Sequence, residues 1–172
     1  MSVVFTVGYE ATDIERFVRT MKAAGIKQIA DVRAVAQSRK KGFSKRGLAE
    51  RLEAEGISYL HFVDLGDPKP GREAARAGRY DEFRKIYGKH LKSDQAQAAL
   101  KRLIEAVSLK ATCLLCFERD PSTCHRRMIA DELSADIGCN VQHLYADDPV
   151  RYVRNAKDLP RFYPRESVAA AQ

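Results

Sequence analysis

Two cysteines and a histidine stand around a strand-to-helix junction in the last third of the chain. Cys116 ends an apolar run that is typical of a buried strand, and Cys124 and His125 follow where the sequence predicts the first turns of a helix. Asp120 and Pro121 favour the N-cap and the first position of that helix. Because a helix N-terminus stabilises thiolates and bound anions, this stretch predicts a reactive thiol, a metal pair or an anion site.

The four cysteines divide into two groups. Cys113 has C-x-x-C spacing to Cys116, but strand side chains alternate between faces, so an odd separation points these two apart. We expect Cys113 to be a core residue, and likewise Cys139, which stands beside a turn. Two interpretations of Cys116 and Cys124 remain open. They are either a functional pair, reactive or metal-binding, or two buried apolar side chains.

The role of His125 is also open between two interpretations. It continues the apolar stripe of the predicted helix, so a strand-end carboxylate, Glu118 or Asp31, could hold it as a buried histidine. Alternatively it is an acid, a base or a metal ligand beside the thiols. A metal site would use both thiols and His125 or His61, a spacing that matches no standard zinc module, and the sequence names no cofactor. The catalytic candidates are Cys116, Cys124, His125 and Glu118.

Strands and helices must bring these residues together. Apolar strands are predicted at 3–7, 26–32, 58–63, 111–117 and 141–145. The order β-α-β-α-β-α-α-β-α-β predicts a single α/β domain over 1–146, with a mainly parallel sheet and helices on both faces. An irregular tail is predicted at 147–172. Thr12 and Glu15 form a capping-box pattern before the first helix, and Asp67 to Gly78 is predicted as a long surface loop.

In an open parallel sheet, ligands bind at the carboxyl ends of the strands. Further polar residues predicted at those ends are Tyr9, Glu10, Asp31 and His61. The predicted anion ligands are Arg33, Arg126, Ser38 and Arg39. On the last helix, Arg126 and Arg127 are expected to point outward, with Arg127 paired to Asp131.

The charge pattern is compatible with acidic partners. The net charge is +7, and residues 32–49 contain six lysines and arginines and no acidic residue. Phe43 stands among these cations, so the segment is either a solvated face or a contact for phosphate or single-stranded nucleic acid. No apolar run approaches a membrane span, and four cysteines without an export signal predict reduced thiols in the cytoplasm. The oligomeric state is not specified by the sequence.

The combined motifs resemble the domain-of-unknown-function 488 family of bacteria and archaea. The motifs are Thr6 to Glu10, Asp31 to Arg33, Ser38-Arg39, Gly42 to Ser44, Gly56 to Tyr59, Leu65-Gly66, Leu115 to Pro121, Cys124 to Arg126 and His143. Ala36 departs from the proline usual in the family's loop. The resemblance implies a compact α/β domain. Its signature set is Tyr9, Glu10, Asp31, Arg33, Ser38, Cys116, Glu118, Cys124, His125 and Arg126. It implies no particular reaction.

Three functions are therefore compatible with the sequence. The first is an enzyme-like site at the carboxyl edge, where arginines bind a phosphate group and a cysteine acts as nucleophile or metal ligand, with His125 or Glu118 as acid or base. The second is a non-catalytic nucleic-acid-binding module that uses residues 33–46. The third is a metal-binding protein that uses both cysteines and a histidine.

Overall fold

A five-stranded parallel sheet forms the centre of the computed structural model, which describes residues 2–147. The strands are β1 (Val3–Gly8), β2 (Gln28–Asp31), β3 (Ser58–His61), β4 (Thr112–Cys116) and β5 (Asn140–Leu144). Their order is β3-β2-β4-β1-β5, and every neighbouring pair is parallel. The predicted α/β class and parallel sheet are confirmed. The tail predicted at 147–172 lies, beyond Asp147, outside the described residues.

Helices cover both faces of this sheet. They are α1 (Ile14–Ala23), α2 (Lys45–Glu53), α3 (Lys69–Arg76), α4 (Tyr80–Leu91), α5 (Asp94–Leu109) and α6 (His125–Ile137). Residues of α1 and α2 pack with one side of β2 and β4, whereas residues of α3 to α6 pack with the other side. None of the helices within 2–147 has the length and apolar character needed to cross a bilayer.

The segment predicted as a surface loop at 67–78 is mostly helix α3, so that prediction is wrong. Its density of proline and glycine was typical of a loop. Pro70, however, stands at the second helical position, where the absent N–H costs nothing. Ala74 is fully buried in the core, and Gly71 lies against Asp67, whose Oδ1 would be 2.0 Å from an added Cβ. A close contact between backbone and side chain therefore explains the glycine.

Helix α1 begins one residue later than the capping box predicted. Its N-cap is Asp13, whose carboxylate accepts a hydrogen bond from the Arg16 N–H at 2.8 Å. The Thr12 hydroxyl instead donates to the Ala146 carbonyl at 2.6 Å. Thr12 thus ties the start of the helix to the segment after β5.

The junction after β4 also starts its helix later than predicted. Asp120 caps a short 3-10 turn, Pro121–Thr123, by accepting the Ser122 N–H at 2.9 Å. The α-helix then begins at His125, with Cys124 as its extended N-cap. Cys124 and His125 therefore lie at the N-terminus of α6 itself.

Candidate functional site

A cavity of about 610 Å³, the edge cavity, opens at the carboxyl ends of the strands. Segments that follow β1, β2 and β4 line it, together with α3 and the start of α6. Its charged lining consists of Glu10, Arg33, Arg39, Asp67, Arg72, Arg76, Glu118 and His125. The carboxyl ends of parallel strands meet here, as they do around ligand sites in other α/β sheets.

Cys116, Cys124 and His125 form a compact cluster, the Cys–Cys–His cluster, beside this cavity. The Nδ1 atom of His125 lies 3.7 Å from the Cys116 sulfur and 3.9 Å from the Cys124 sulfur. One ligand-type atom from each of the three residues lies within 4.8 Å of the others. All three side chains are at most 5 % exposed. Cys116 and His125 line the edge cavity, whereas Cys124 does not.

Secondary structure holds the cluster in place. Cys116 is the last residue of β4 and pairs in register with Gly8 of β1. His125 is fixed on its other side, where Nε2 donates to the Val32 carbonyl at 2.7 Å. Its ring also packs on Tyr87 of α4, with centroids 5.0 Å apart. Nδ1 is therefore the nitrogen that faces both sulfur atoms.

Arg126 is fully buried next to the cluster, so the outward orientation predicted for it is wrong. Its guanidinium donates to the Thr6 hydroxyl at 3.1 Å and to the Arg119 carbonyl at 3.0 Å, and also to the Glu118 carbonyl. It forms no ion pair with a carboxylate within residues 2–147, and it is not part of the cavity lining. Arg127, by contrast, pairs with Asp131 at 3.8 Å, as predicted.

Gly8 makes this arrangement possible. A Cβ atom on Gly8 would lie 1.7 Å from the Glu118 carbonyl oxygen, which is backbone and cannot yield. Without a side chain at this position, the loop after β4 packs directly on β1. That close approach brings the Glu118 carbonyl to the guanidinium of Arg126.

The electrostatics of the cluster favour a thiolate on Cys124. Burial alone raises the pKa of Cys124, but the hydrogen bond from Cys116 and the charges of Arg126 and His125 outweigh it and hold that pKa well below its usual value. The same hydrogen bond, with burial, raises the pKa of Cys116 well above its usual value. Burial disfavours the His125 imidazolium, yet contact with Cys124 raises its pKa to about 9.

Two carboxyl groups of the edge cavity are also perturbed. Burial and the charge of Cys124 raise the pKa of Glu118 to about 7, and the Cys116 thiol donates to its Oε2 at 3.4 Å. Burial raises the pKa of Asp67 to about 6. Asp67 is 4 % exposed, and its Oδ1 has no hydrogen-bond partner in the described part of the chain.

Arg33 is held by its neighbours. Its Nε and one terminal nitrogen donate to the two oxygens of Asp31 at 2.9 and 2.7 Å, and the other terminal nitrogen donates to the Phe43 carbonyl at 2.7 Å. Tyr59 donates a short hydrogen bond to Asp31, and His61 donates to the Arg33 carbonyl at 2.8 Å. Asp31 and His61 thus support Arg33 and are absent from the cavity lining.

The basic segment is anchored to the segment that connects β1 with α1. Lys40 donates to the carbonyls of Tyr9 and Thr12 at 3.0 and 2.7 Å. Phe43 is fully buried and stacks on Tyr9 with a centroid distance of 4.4 Å, so its ring is not available to stack on a nucleobase. Arg39 is exposed and forms no hydrogen bond or ion pair within 2–147.

The structure brings most of the predicted site residues to one cavity. Its lining includes Tyr9, Glu10, Arg33, Ser38, Arg39, Cys116, Glu118 and His125. Cys113 and Cys139 are buried elsewhere, Cys113 on the opposite side of the sheet from Cys116, as predicted. Sequence reasoning missed Asp67, Arg72 and Arg76. The i,i+4 spacing of the two arginines was the available signal, because it places both on one face once the segment is recognised as helix α3.

Fold and site together define a parallel α/β protein with a buried Cys–Cys–His cluster beside a cavity at the sheet edge. A sequence model of the family described as domain of unknown function DUF488 matches residues 13–133. The chain belongs to this family, which confirms the resemblance noted in its motifs. Searches of curated proteins and of solved structures gave no significant match.

Proposed function

We propose that the protein is an enzyme that acts on an anionic, phosphate-bearing substrate bound in the edge cavity. One observation carries this proposal: the cavity lined by Arg33, Arg39, Arg72 and Arg76 is also the cavity that Cys116 and His125 line. A charged binding region directly beside reactive side chains is the arrangement expected of an active site.

Two of these arginines have donors to offer. Arg39, from the segment after β2, and Arg76, from α3, are both exposed, and their side chains have no hydrogen bond or ion pair with any other residue of 2–147. Arg72 is partly committed, because it donates to the Asp67 carbonyl at 2.6 Å. A guanidinium presents a planar pair of N–H donors that matches a phosphate group, so Arg39 and Arg76 are the primary anion ligands.

The reactive side chains lie on the cluster side of the same cavity. Cys116 or Cys124 acts as nucleophile or metal ligand, and Glu118 or His125 serves as acid or base. Glu118 is within reach of the Cys116 sulfur at 3.4 Å, a separation suited to proton transfer between sulfur, carboxylate and a bound substrate. Arg33 and Ser38 complete the lining beside the anion.

Phosphate binding tests the proposal directly. Inorganic phosphate would be titrated at low ionic strength into the full chain and into Arg39→Gln and Arg76→Gln, with heat or NMR shifts as the readout. Each variant should weaken binding by about tenfold or more, since each removes charge-assisted hydrogen bonds worth about 1.5–3 kcal/mol. Arg19→Gln is the matched control: Arg19 is an exposed arginine of α1 outside the cavity, and its loss should change affinity less than twofold.

Two outcomes would overturn the proposal. One is the absence of phosphate binding to the wild-type protein, and the other is equal weakening by Arg19→Gln.

A single-stranded oligonucleotide titrated in parallel tests the second function compatible with the sequence, a non-catalytic nucleic-acid-binding module. If it binds with steep salt dependence, more weakly in Arg39→Gln but with unchanged affinity in Arg76→Gln, residues 33–46 are a nucleic-acid surface instead.

A further inference from the structure

The Cys–Cys–His cluster has the spacing of ligands around one tetrahedral metal ion. With Zn–S bonds of about 2.3 Å and Zn–N bonds of about 2.0 Å, a sulfur and a nitrogen ligand of a tetrahedral site lie about 3.5 Å apart. The His125 Nδ1 lies 3.7 and 3.9 Å from the two sulfur atoms, and all three atoms fall within 4.8 Å of each other. We propose that Cys116, Cys124 and His125 bind one Zn²⁺ ion.

The orientation of His125 supports this assignment. Metal-bound histidines generally donate their second ring N–H to a carbonyl or carboxylate, which fixes the tautomer and directs the other nitrogen at the metal. His125 does so through Nε2, which donates to the Val32 carbonyl at 2.7 Å. The free nitrogen, Nδ1, is the one that faces Cys116 and Cys124.

The surroundings of Arg126 are compatible with this assignment. A guanidinium removed from water needs an anionic partner, and Arg126 is fully buried without a carboxylate ion pair in the described chain. Its guanidinium acts electrostatically on Cys124 and Cys116, whose sulfur atoms a metal would hold in the thiolate form. One Zn²⁺ ion offsets the charge of two thiolates, but their sulfur atoms still accept hydrogen bonds, so the loaded site would leave Arg126 a sulfur acceptor.

The donor set selects the kind of metal. Two thiolates and an imidazole suit zinc, whereas magnesium, calcium and manganese prefer carboxylate, carbonyl and water oxygens. The only carboxylate that bonds a cluster atom is Glu118, through the Cys116 sulfur, within residues 2–147. Zinc therefore fits the cluster better than a hard cation does.

The site is of the open type. Three protein ligands with a fourth position left for water or substrate are characteristic of catalytic zinc, whereas structural zinc has four protein ligands. Two of the three ligands, Cys116 and His125, line the edge cavity, so a fourth ligand would reach the metal from that cavity. The use of that position by a substrate anion rests on the proposed function, whereas metal binding itself rests on the ligand geometry.

Metal content is the first test. Wild-type protein, Cys124→Ser and Cys139→Ser would be purified in reducing buffer without chelator and analysed for zinc. Cys139 is the matched control, since it is 2 % exposed, as Cys124 is, but lies outside the cluster. We expect one zinc ion per wild-type chain, the same in Cys139→Ser, and at least a tenfold loss in Cys124→Ser.

Cobalt substitution keeps the test decisive if Cys124→Ser does not fold. Metal-free wild-type protein loaded with Co²⁺ should show visible bands of tetrahedral coordination and a near-ultraviolet thiolate-to-cobalt band. The intensity of that band should correspond to two thiolates. A folded Cys124→Ser variant that still takes up cobalt should show about half of it.

Three results would overturn the zinc site. The first is wild-type protein that neither carries zinc nor gives the cobalt spectrum. The second is equal metal loss in Cys139→Ser, and the third is a Cys116–Cys124 disulfide in protein taken directly from cells.

Phosphate titration of zinc-loaded and metal-free protein separates the zinc site from the proposed function. Zinc without phosphate binding contradicts only the anionic substrate, and phosphate binding without zinc contradicts only the metal site.

Discussion

Two buried arginines at the carboxyl edge of the sheet differ in what balances their charge. Arg33, just after β2, is 4 % exposed and forms a two-point ion pair with Asp31 at 2.9 and 2.7 Å. Arg126, in the first turn of α6, is fully buried, and its hydrogen-bond acceptors within residues 2–147 are a hydroxyl, two carbonyls and the cluster sulfur.

This difference indicates different roles. The Arg33 pair is complete without any further group, so it stabilises the loop that carries Arg39. Arg126 has no carboxylate partner in the described part of the chain, and it depends on the thiolate character of the neighbouring cysteines for charge balance. The buried cation and the Cys–Cys–His cluster therefore form one electrostatic unit, and variants of either arginine's partners can test the distinction.

The largest effect is expected from breaking the complete pair. Asp31→Asn leaves the Arg33 guanidinium buried without a counter-charge, and unfolding free energy should fall by about 3–5 kcal/mol. Urea denaturation monitored by circular dichroism measures it. Glu50→Gln, which breaks the exposed Arg46–Glu50 pair of α2, is the control and should cost less than about 1 kcal/mol. Similar losses in both variants would contradict the structural role of the Arg33 pair.

Asp67, a buried carboxylate that forms no ion pair within residues 2–147, offers the opposite case. The pKa of Asp67 is raised to about 6, so the folded protein holds a proton there that the unfolded chain releases near its usual value of 3.8. Wild-type stability should therefore fall as pH rises from about 4 to about 7. Asp67→Asn cannot ionise and escapes this loss.

The unfolding free energies of wild type and Asp67→Asn should consequently differ only above the acidic pH range. Near pH 4 the unfolding free energies of Asp67→Asn and wild type should agree, and by pH 8 the variant should be more stable by up to about 3 kcal/mol. Chemical denaturation at both pH values measures the difference. A difference that stays constant with pH would show that the Asp67 carboxylate is not penalised by burial.

The sequence predicted the features that depend on residues close together in the chain, but not those that depend on distant residues. Strands were predictable because each is an apolar run followed by polar residues, and this also placed Cys116 and Arg33 at the sheet edge. Helix α3 was not predicted, since its first turn contains a proline and a glycine, and the glycine is explained only by its close contact with Asp67. The burial of Arg126 depends on the missing side chain at Gly8, more than a hundred residues away, and no local pattern reports such a contact.

The link between Arg126 and Cys124 predicts non-additive stability. Arg126→Met and Cys124→Ser would be measured singly and together under reducing, chelator-containing conditions. If the two side chains balance each other's charge, the double variant should lose about 1–3 kcal/mol less than the sum of the single losses. As a control, Arg126→Met would be combined with Tyr59→Phe, whose side chain belongs to the separate Arg33 network. The losses in unfolding free energy of these two variants should add to within about 0.5 kcal/mol. Additivity in both cycles would separate Arg126 from the cluster.

The smallest effect on stability is expected from Tyr59, whose hydrogen bond can be removed while the Asp31–Arg33 ion pair stays in place. Tyr59 donates to Asp31, and burial together with the charge of Asp31 raises the pKa of this phenol above its usual value. Tyr59→Phe removes one charge-assisted hydrogen bond but leaves the Asp31–Arg33 ion pair, so unfolding free energy should fall by about 1.5 kcal/mol. Denaturation at pH 7 measures this loss. A loss as large as that of Asp31→Asn would show that the phenol, rather than the guanidinium, holds the carboxylate in place.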